Sequence, residues 1–202
     1  NERKPDKPTI LIAPSWQDDN IVDSCLEEIL DELKTDKFNV IVRPHPQHVR
    51  HRREKMEQLK AKFASNDNIE IQTDFSSNSD VFNADLLITD WSGIAYEYAY
   101  ATKKPVLFVN TPMKIMNPEY QKISLVPINI LLRDQVGKNI DVNHMEEAAD
   151  KIKYLLDHSE EYRIAIEETL KNMYEDAPIL HKKNFMGFLK SFWKNLNIKE
   201  NK

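Results

Sequence analysis

Short, continuous apolar runs separated by stretches of helical spacing set the strongest limit on what this chain can fold into. Thr9-Ile10-Leu11-Ile12-Ala13, Phe38-Asn39-Val40-Ile41-Val42, the shorter Ile69-Glu70-Ile71, Leu86-Leu87-Ile88-Thr89 and Pro105-Val106-Leu107-Phe108-Val109 have the length of strands. They do not alternate cleanly between apolar and polar, so both faces of the sheet they form must be covered. Helical patterns lie between them. Asp19 or Asn20 caps a helix to about Lys34, with Ile21, Cys25, Leu26, Ile29, Leu30 and Leu33 as its stripe. Further helices are expected from about Arg52 to Ala64, around Asp80 to Asn83, and from Ile94 to Tyr100. Asn110 to Asn129 is a long connection holding Pro112, Pro118 and Pro127, followed by an expected strand at Ile130 to Leu132. Met145 to Leu156, Glu160 to Tyr174 and His181 to Leu196 read as three terminal helices. This alternation predicts an α/β fold, a Rossmann-like parallel sheet with helices on both faces. Asn1 to Pro8, charged and with prolines, reads as a linker, so the domain is expected over residues 9–202.

Composition narrows the function. The 202 residues suffice for one sizeable core, and 41% apolar with 30% charged residues fits a globular chain. A net charge of −5 and a pI near 5.7 argue against nucleic acid as a partner. With only 3 glycines, neither G-x-G-x-x-G nor a P-loop is present. The single cysteine, Cys25, excludes an internal disulfide and falls in a helical stripe, where a core role is expected. His45, His48 and His51 are three apart, but no Cys or carboxylate completes a familiar ligand set, so neither metal nor cofactor is expected. No apolar run approaches a membrane span and no signal peptide is visible.

Ligands of parallel sheets bind beyond the carboxyl ends of the strands, and three polar turns stand at such ends. The first is Pro14-Ser15-Trp16-Gln17. The second, Arg43-Pro44-His45-Pro46, holds a guanidinium suited to phosphate and an imidazole suited to donation or acid–base work, between two rigid prolines. In the third, Asp90-Trp91-Ser92-Gly93, a strand turns directly into a helix, whose first amides and positive dipole end suit an anion. Ser92 is expected to cap that helix and lend its hydroxyl to a phosphate, Gly93 to let the backbone approach a ligand, and Glu97, one turn in, to accept from ribose hydroxyls. The plainer alternatives are a structural cap at Ser92, a satisfied loop histidine at His45 and a Glu97 paired with Lys103 or Lys104. The basic run His48, Arg50, His51, Arg52, Arg53 and Lys55 reads as a solvated helix face or a contact for a polyanion. The last helix sets Phe185, Phe188, Phe192 and Trp193 among Lys182, Lys183, Lys190 and Lys194, a pattern for packing against another domain or for a membrane surface.

These pieces resemble the CDP-glycerol glycerophosphotransferases, the teichoic acid primases and polymerases of bacterial envelopes. The likeness is carried by Ile10-Leu11-Ile12-Ala13-Pro14-Ser15-Trp16, Val42-Arg43-Pro44-His45-Pro46, Ala84 to Gly93 and Lys104-Pro105-Val106-Leu107-Phe108, in order and spacing over roughly residues 8 to 110. The resemblance implies one half of a GT-B architecture, the C-terminal nucleotide-binding domain. It implies a CDP-alcohol donor, a polyol-phosphate or glycan acceptor, and a cytoplasmic site at the inner face of the membrane. It implies catalytic roles for His45 and Arg43, and substrate contacts from Pro14, Ser15, Trp16, Asp90, Ser92, Gly93 and Glu97. The family more often has Asp-Tyr-Ser-Ser where this chain has Asp90-Trp91-Ser92-Gly93. The form here is also similar to the Asp-Ser-Gly-Gly-Ile-x-x-Glu run of UDP-N-acetylglucosamine 2-epimerase, in which the glutamate holds the ribose; Glu97 falls at its place. The family's other half carries a His-Gly motif implicated in catalysis, and this chain has no His-Gly dipeptide, so a missing N-terminal domain is expected. Two other readings stand beside this one: a GT-B enzyme acting on a nucleotide sugar, and an interaction module without turnover.

Overall fold

The apolar runs become strands because nothing else buries both of their faces. In chain order the elements are β1 (Thr9–Ile12), α1 (Ile21–Ser24), α2 (Leu26–Leu33), β2 (Asn39–Val42), α3 (Pro46–His51), α4 (Arg53–Phe63), β3 (Ile69–Ile71), α5 (Ser79–Asn83), β4 (Leu86–Thr89), α6 (Ile94–Thr102), β5 (Val106–Asn110), α7 (Ile128–Leu131), α8 (Arg133–Val136), β6 (Gly137–Asp141), α9 (Ala148–Asp157) and α10 (Ser159–Asp176). The structure, a computed structural model, describes residues 6–75, 79–115, 117–124 and 126–176. The chain divides into two compact units, Asn1–Ile166 and Glu167–Lys202. The first holds the sheet and the site; of the second, the described residues contain the end of α10.

The six strands pair in parallel in the order β3-β2-β1-β4-β5-β6. This is the expected Rossmann-like α/β sheet, and the strand order reverses between β1 and β4. Side chains alternate across it. Ile10, Ile12, Leu86, Ile88, Leu107 and Val109 join a cluster with Leu26, Ile29, Leu30 and Leu33 of α2 and with Ile152 and Leu155 of α9. Leu11, Leu87 and Phe108, between them in sequence, are equally buried and turn to the other face, where α6 packs on β4. Each such Leu or Ile contributes about 1.5–3 kcal/mol by leaving water. Tyr98 of α6 is buried beneath this face and donates its hydroxyl to Ala84 O at 2.9 Å.

Three local expectations change. The helix expected from Asn20 to Lys34 breaks at Cys25, whose φ of −152° separates α1 from α2. Burial pushes the Cys25 thiol up to about 12, which leaves it a packed and unreactive group. The second proline of Arg43-Pro44-His45-Pro46 does not extend the turn; it starts α3, one helix earlier than expected, because a proline at the first helical position surrenders no bonded amide. The last strand is not Ile130 to Leu132, which falls in and beside α7, but Gly137–Asp141. A Cβ at residue 137 would stand 1.7 Å from Val106 O, so only glycine lets β6 lie against β5. At the start of the domain, Pro8 is tied in through its carbonyl, which accepts from Asn39 N at 2.9 Å. The expected helix from His181 to Leu196, with its basic amphipathic face, lies outside the described residues, as do Asn1 to Pro5 of the expected linker.

Candidate ligand site at the carboxyl edge of the sheet

The crevice forms where the strand order reverses, because the loops after β1 and β4 must run to opposite sides there. Pro14 and Ser15 follow β1 and are buried. Asp90, 1% exposed at the end of β4, is the pin of this region: its Oδ1 accepts from Ser15 N at 2.8 Å and its Oδ2 from Ile21 N at 3.2 Å. One carboxylate therefore fixes both the turn after β1 and the start of α1. Thr89 adds to the seam by donating its hydroxyl to Ala13 O at 2.6 Å. The β5 loop is sewn on from the other side. Trp91 Nε1 donates to Thr111 O at 2.9 Å, and Gln17 Nε2 donates to Pro112 O at 3.0 Å.

At the start of α6 the structure changes one expected detail. The N-cap is Gly93, not Ser92, and no side chain caps the helix. The Ser92 hydroxyl and the amides of Gly93 and Ile94 have no hydrogen bond among the described residues. The space around a Cβ at Gly93 is open to 4 Å, and its φ of −61° is ordinary helix. Gly93 therefore serves no need of the fold; it leaves room over unpaired amides. Glu97 is exposed on the first turn of α6. Lys104 pairs with Asp85 at 3.1 Å, while Lys103 donates to Tyr100 O.

The β2 turn holds its two residues differently. His45 caps α3: its Nδ1 accepts from Gln47 N at 3.2 Å. A backbone amide can only donate, so Nδ1 carries the lone pair and Nε2 the proton. Partial burial, then the charge of Lys114 from the β5 loop, lower the ring's pKa, so His45 is neutral at pH 7 and offers Nε2–H outward from an exposed ring. Lys114 is exposed and thus brings a cation to the same side of the crevice. Arg43, by contrast, is 9% exposed and lies over the Phe75 ring, 5.2 Å from its centroid; burial lowers its pKa while Asp80 and Asp74 act to raise it. Its guanidinium is thus built into the β3 side of the turn. Trp16, 36% exposed, sits among His45, His48 and His51, with ring centroids 6.3, 4.8 and 6.0 Å away. The three histidines gather around this indole, and among the described residues no three His, Cys, Asp or Glu groups are set to hold a metal ion.

Sequence reading missed two further residues. Arg133 of α8 is 5% exposed and has no carboxylate partner among the described residues. It donates to Asn139 Oδ1 at 3.0 Å and Asn110 Oδ1 at 2.9 Å, and lies between the rings of Trp91 and Phe108, 4.2 and 4.5 Å from their centroids. It props the Asp90–Gly93 turn from beneath. Thr111 is the second. Among the described residues, seven of the eight buried side-chain nitrogens and oxygens without a protein partner belong to Ser15, Gln17, Gln47, His48, Gln72 and Thr111, in the segments that follow the carboxyl ends of β1, β2, β3 and β5. Native proteins pair nearly all such groups, so their concentration at one edge marks a place prepared for polar ligands. Nothing in the sequence around Thr111 singles it out, since the bond that its carbonyl accepts from Trp91 spans 20 positions.

Comparison with known proteins gives the family and the fold. Residues 2–177 match the family described as CDP-Glycerol:Poly(glycerophosphate) glycerophosphotransferase. A search of curated proteins finds no match. Among solved structures, a glycosyltransferase from Rickettsia africae is similar at 18% identity and a TM-score of 0.57, over 95% of this chain and 49% of that one. The C-terminal CMP-Kdo binding domain of WaaA from Acinetobacter baumannii is similar at 13% identity and a TM-score of 0.54, over 82% of this chain and 90% of that domain. TarM is similar at 13% identity and a TM-score of 0.52, over 95% of this chain and 37% of that one. The fold is that of one half of a GT-B architecture. The chain spans 39% of the UDP-GlcNAc 2-epimerase of Methanocaldococcus jannaschii.

Proposed function

The chain belongs to the CDP-glycerol:poly(glycerophosphate) glycerophosphotransferase family, and from that premise we propose that it is the donor-binding half of a transferase. The donor is a CDP-alcohol, CDP-glycerol or CDP-ribitol. An acceptor hydroxyl on a polyol-phosphate polymer or envelope glycan attacks the phosphorus that bears the alcohol. The new P–O bond forms as the bond to CMP breaks, CMP leaves as its anion, and the acceptor's proton passes to water. The work is done at the inner face of the membrane, and a second domain completes the cleft.

The observation that carries this reading is the set of unpaired donors at one edge: the first amides of α6, the Ser92 hydroxyl and the His45 Nε2–H. Phosphoryl transfer asks for little covalent chemistry from a protein and much placement and charge stabilisation. The assigned tautomer of His45 gives it a definite part. Nε2 holds a proton while Nδ1 caps α3, so the ring donates to the departing CMP phosphate rather than taking the acceptor's proton. Lys114 adds positive charge beside it, and Glu97, one turn into α6, faces the nucleoside side.

A thermal-shift panel tests the donor. In a panel of CDP-glycerol, CDP-ribitol, CMP and UDP-sugars, a ligand that binds raises the melting point by mass action, about 2.7 kcal/mol of stabilisation at one hundred times Kd. A larger shift with cytidine nucleotides is expected, and His45→Ala should reduce affinity about ten-fold, the worth of one hydrogen bond to a charged group. Stabilisation by UDP-sugars alone would replace the CDP-alcohol with a nucleotide sugar.

A further inference from the structure

We infer that Thr111 is a ligand-contacting residue, its hydroxyl paired with that of Ser15 across the Asp90–Gly93 turn to hold phosphoryl oxygens. The inference rests on the donor reading above and extends it to a residue outside the three turns.

The sheet order sets the geometry. β4 lies between β1 and β5, so the turn after β4 is flanked by the loop after β1 on one side and the loop after β5 on the other. Each flank is hydrogen-bonded to the turn. Ser15 N donates to Asp90 on one side, and Thr111 O accepts from Trp91 Nε1 on the other. The Gln17–Pro112 bond ties the two flanking loops to each other. Ser15 and Thr111 are 3% and 4% exposed, and neither hydroxyl has a partner among the described residues.

Other hydroxyls among the described residues are paired. The buried hydroxyls of Thr89 and Tyr98 donate to backbone carbonyls, and the half-buried Thr102 does the same. A buried hydroxyl without a partner destabilises the protein, so a pair of them on the two walls of an unpaired helix start needs a reason. A phosphoryl group supplies it. Its oxygens only accept, and two hydroxyls together with the amides of Gly93 and Ile94, at the positive end of a nine-residue helix, can donate to them. The matching ligand is a phosphate ester or diphosphate rather than an uncharged sugar.

Thr111→Val keeps the shape of the side chain and removes only the hydroxyl. The 202-residue chain and its Thr111→Val and Thr111→Ser variants are compared by melting point and by titration with inorganic pyrophosphate and with CDP. Thr111→Val should melt at or above the parent and bind both probes about ten-fold more weakly, while Thr111→Ser keeps the parent's affinity. Unchanged pyrophosphate affinity in a folded Thr111→Val protein would overturn the assignment, as would a Thr111→Ser protein that binds no better than the valine variant. A parent that takes pyrophosphate but not CDP would sink the CDP-alcohol reading and leave the hydroxyl pair judged on pyrophosphate alone. A parent that takes neither sinks both.

Discussion

Replacing Asp90 by asparagine should loosen the site's frame before it touches any ligand. In the native protein the two carboxylate oxygens accept from two backbone amides, Ser15 N and Ile21 N, and the residue is 1% exposed. An asparagine keeps one oxygen. Its NH2 must face the other amide, donor against donor, and that amide loses its partner out of reach of water. Leaving one buried donor unsatisfied costs about 1–3 kcal/mol. Asp90→Ala leaves both unsatisfied and should cost about twice as much. Urea unfolding at neutral pH, with ΔG extrapolated linearly, measures both. The order parent, asparagine, alanine is the expected result. An asparagine variant within about 0.5 kcal/mol of the parent, the range of ordinary surface changes, would refute the reasoning. If that variant had also lost its affinity for CDP, Asp90 would be a substrate contact rather than the pin of the β1 turn.

Three further outcomes follow from particular distances and charges. His48 is fully buried, and burial first, then Arg52 and His45 against the opposing carboxylates of Asp23 and Asp90, hold its pKa down to about 4. The unfolded chain therefore binds a proton near pH 6.5 that the folded chain refuses, so stability should be full above pH 6.5 and fall by up to about 3 kcal/mol on the way to pH 4; unfolding curves at pH 7 and pH 5 should converge in His48→Leu. Gly93→Ala meets open space and should keep its melting point while weakening CDP binding, whereas Gly137→Ala drives a Cβ into Val106 O and should cost several kcal/mol or prevent folding; a lowered melting point in the first variant or an unchanged one in the second would contradict the corresponding assignment. Glu97→Gln should discriminate less than the parent between CDP and its 2′-deoxy form, and a cycle giving the same deoxy penalty in both proteins would remove Glu97 from the ribose.

How much of this was legible in the sequence depended on whether the cause was local. β1, β2, β4 and β5 were readable because strands covered on both faces must be apolar along their length. β6 was not: Gly-Lys-Asn-Ile-Asp carries one large apolar residue, and its reason for being a strand is the close approach of Gly137 to Val106, which only the folded sheet creates. α3 was hidden because Pro46 reads as a breaker unless His45 is seen to cap it. The three turns could be placed by their position after strands, but their internal chemistry could not.

That chemistry separates the site's charges into two kinds. Asp90 spends both oxygens on amides 75 and 69 positions away, and Arg133 spends its donors on Asn110 and Asn139 while Trp91 and Phe108 cover its faces. Arg43 is likewise set against Phe75. These groups are framework. In the proposed site the groups left to face a diphosphate carry little charge of their own: a neutral histidine, two hydroxyls, a glycine and the open end of α6, with Lys114 as a cation at the rim. A diphosphate would thus be held mainly by fixed dipoles, which lose less when the product leaves than a buried ion pair does, because separating a dipole from an anion strands no uncompensated charge in the protein. Under the proposed function, a donor site that releases CMP after each transfer would be well served by that arrangement, with Asp90 and Arg43 turned inward.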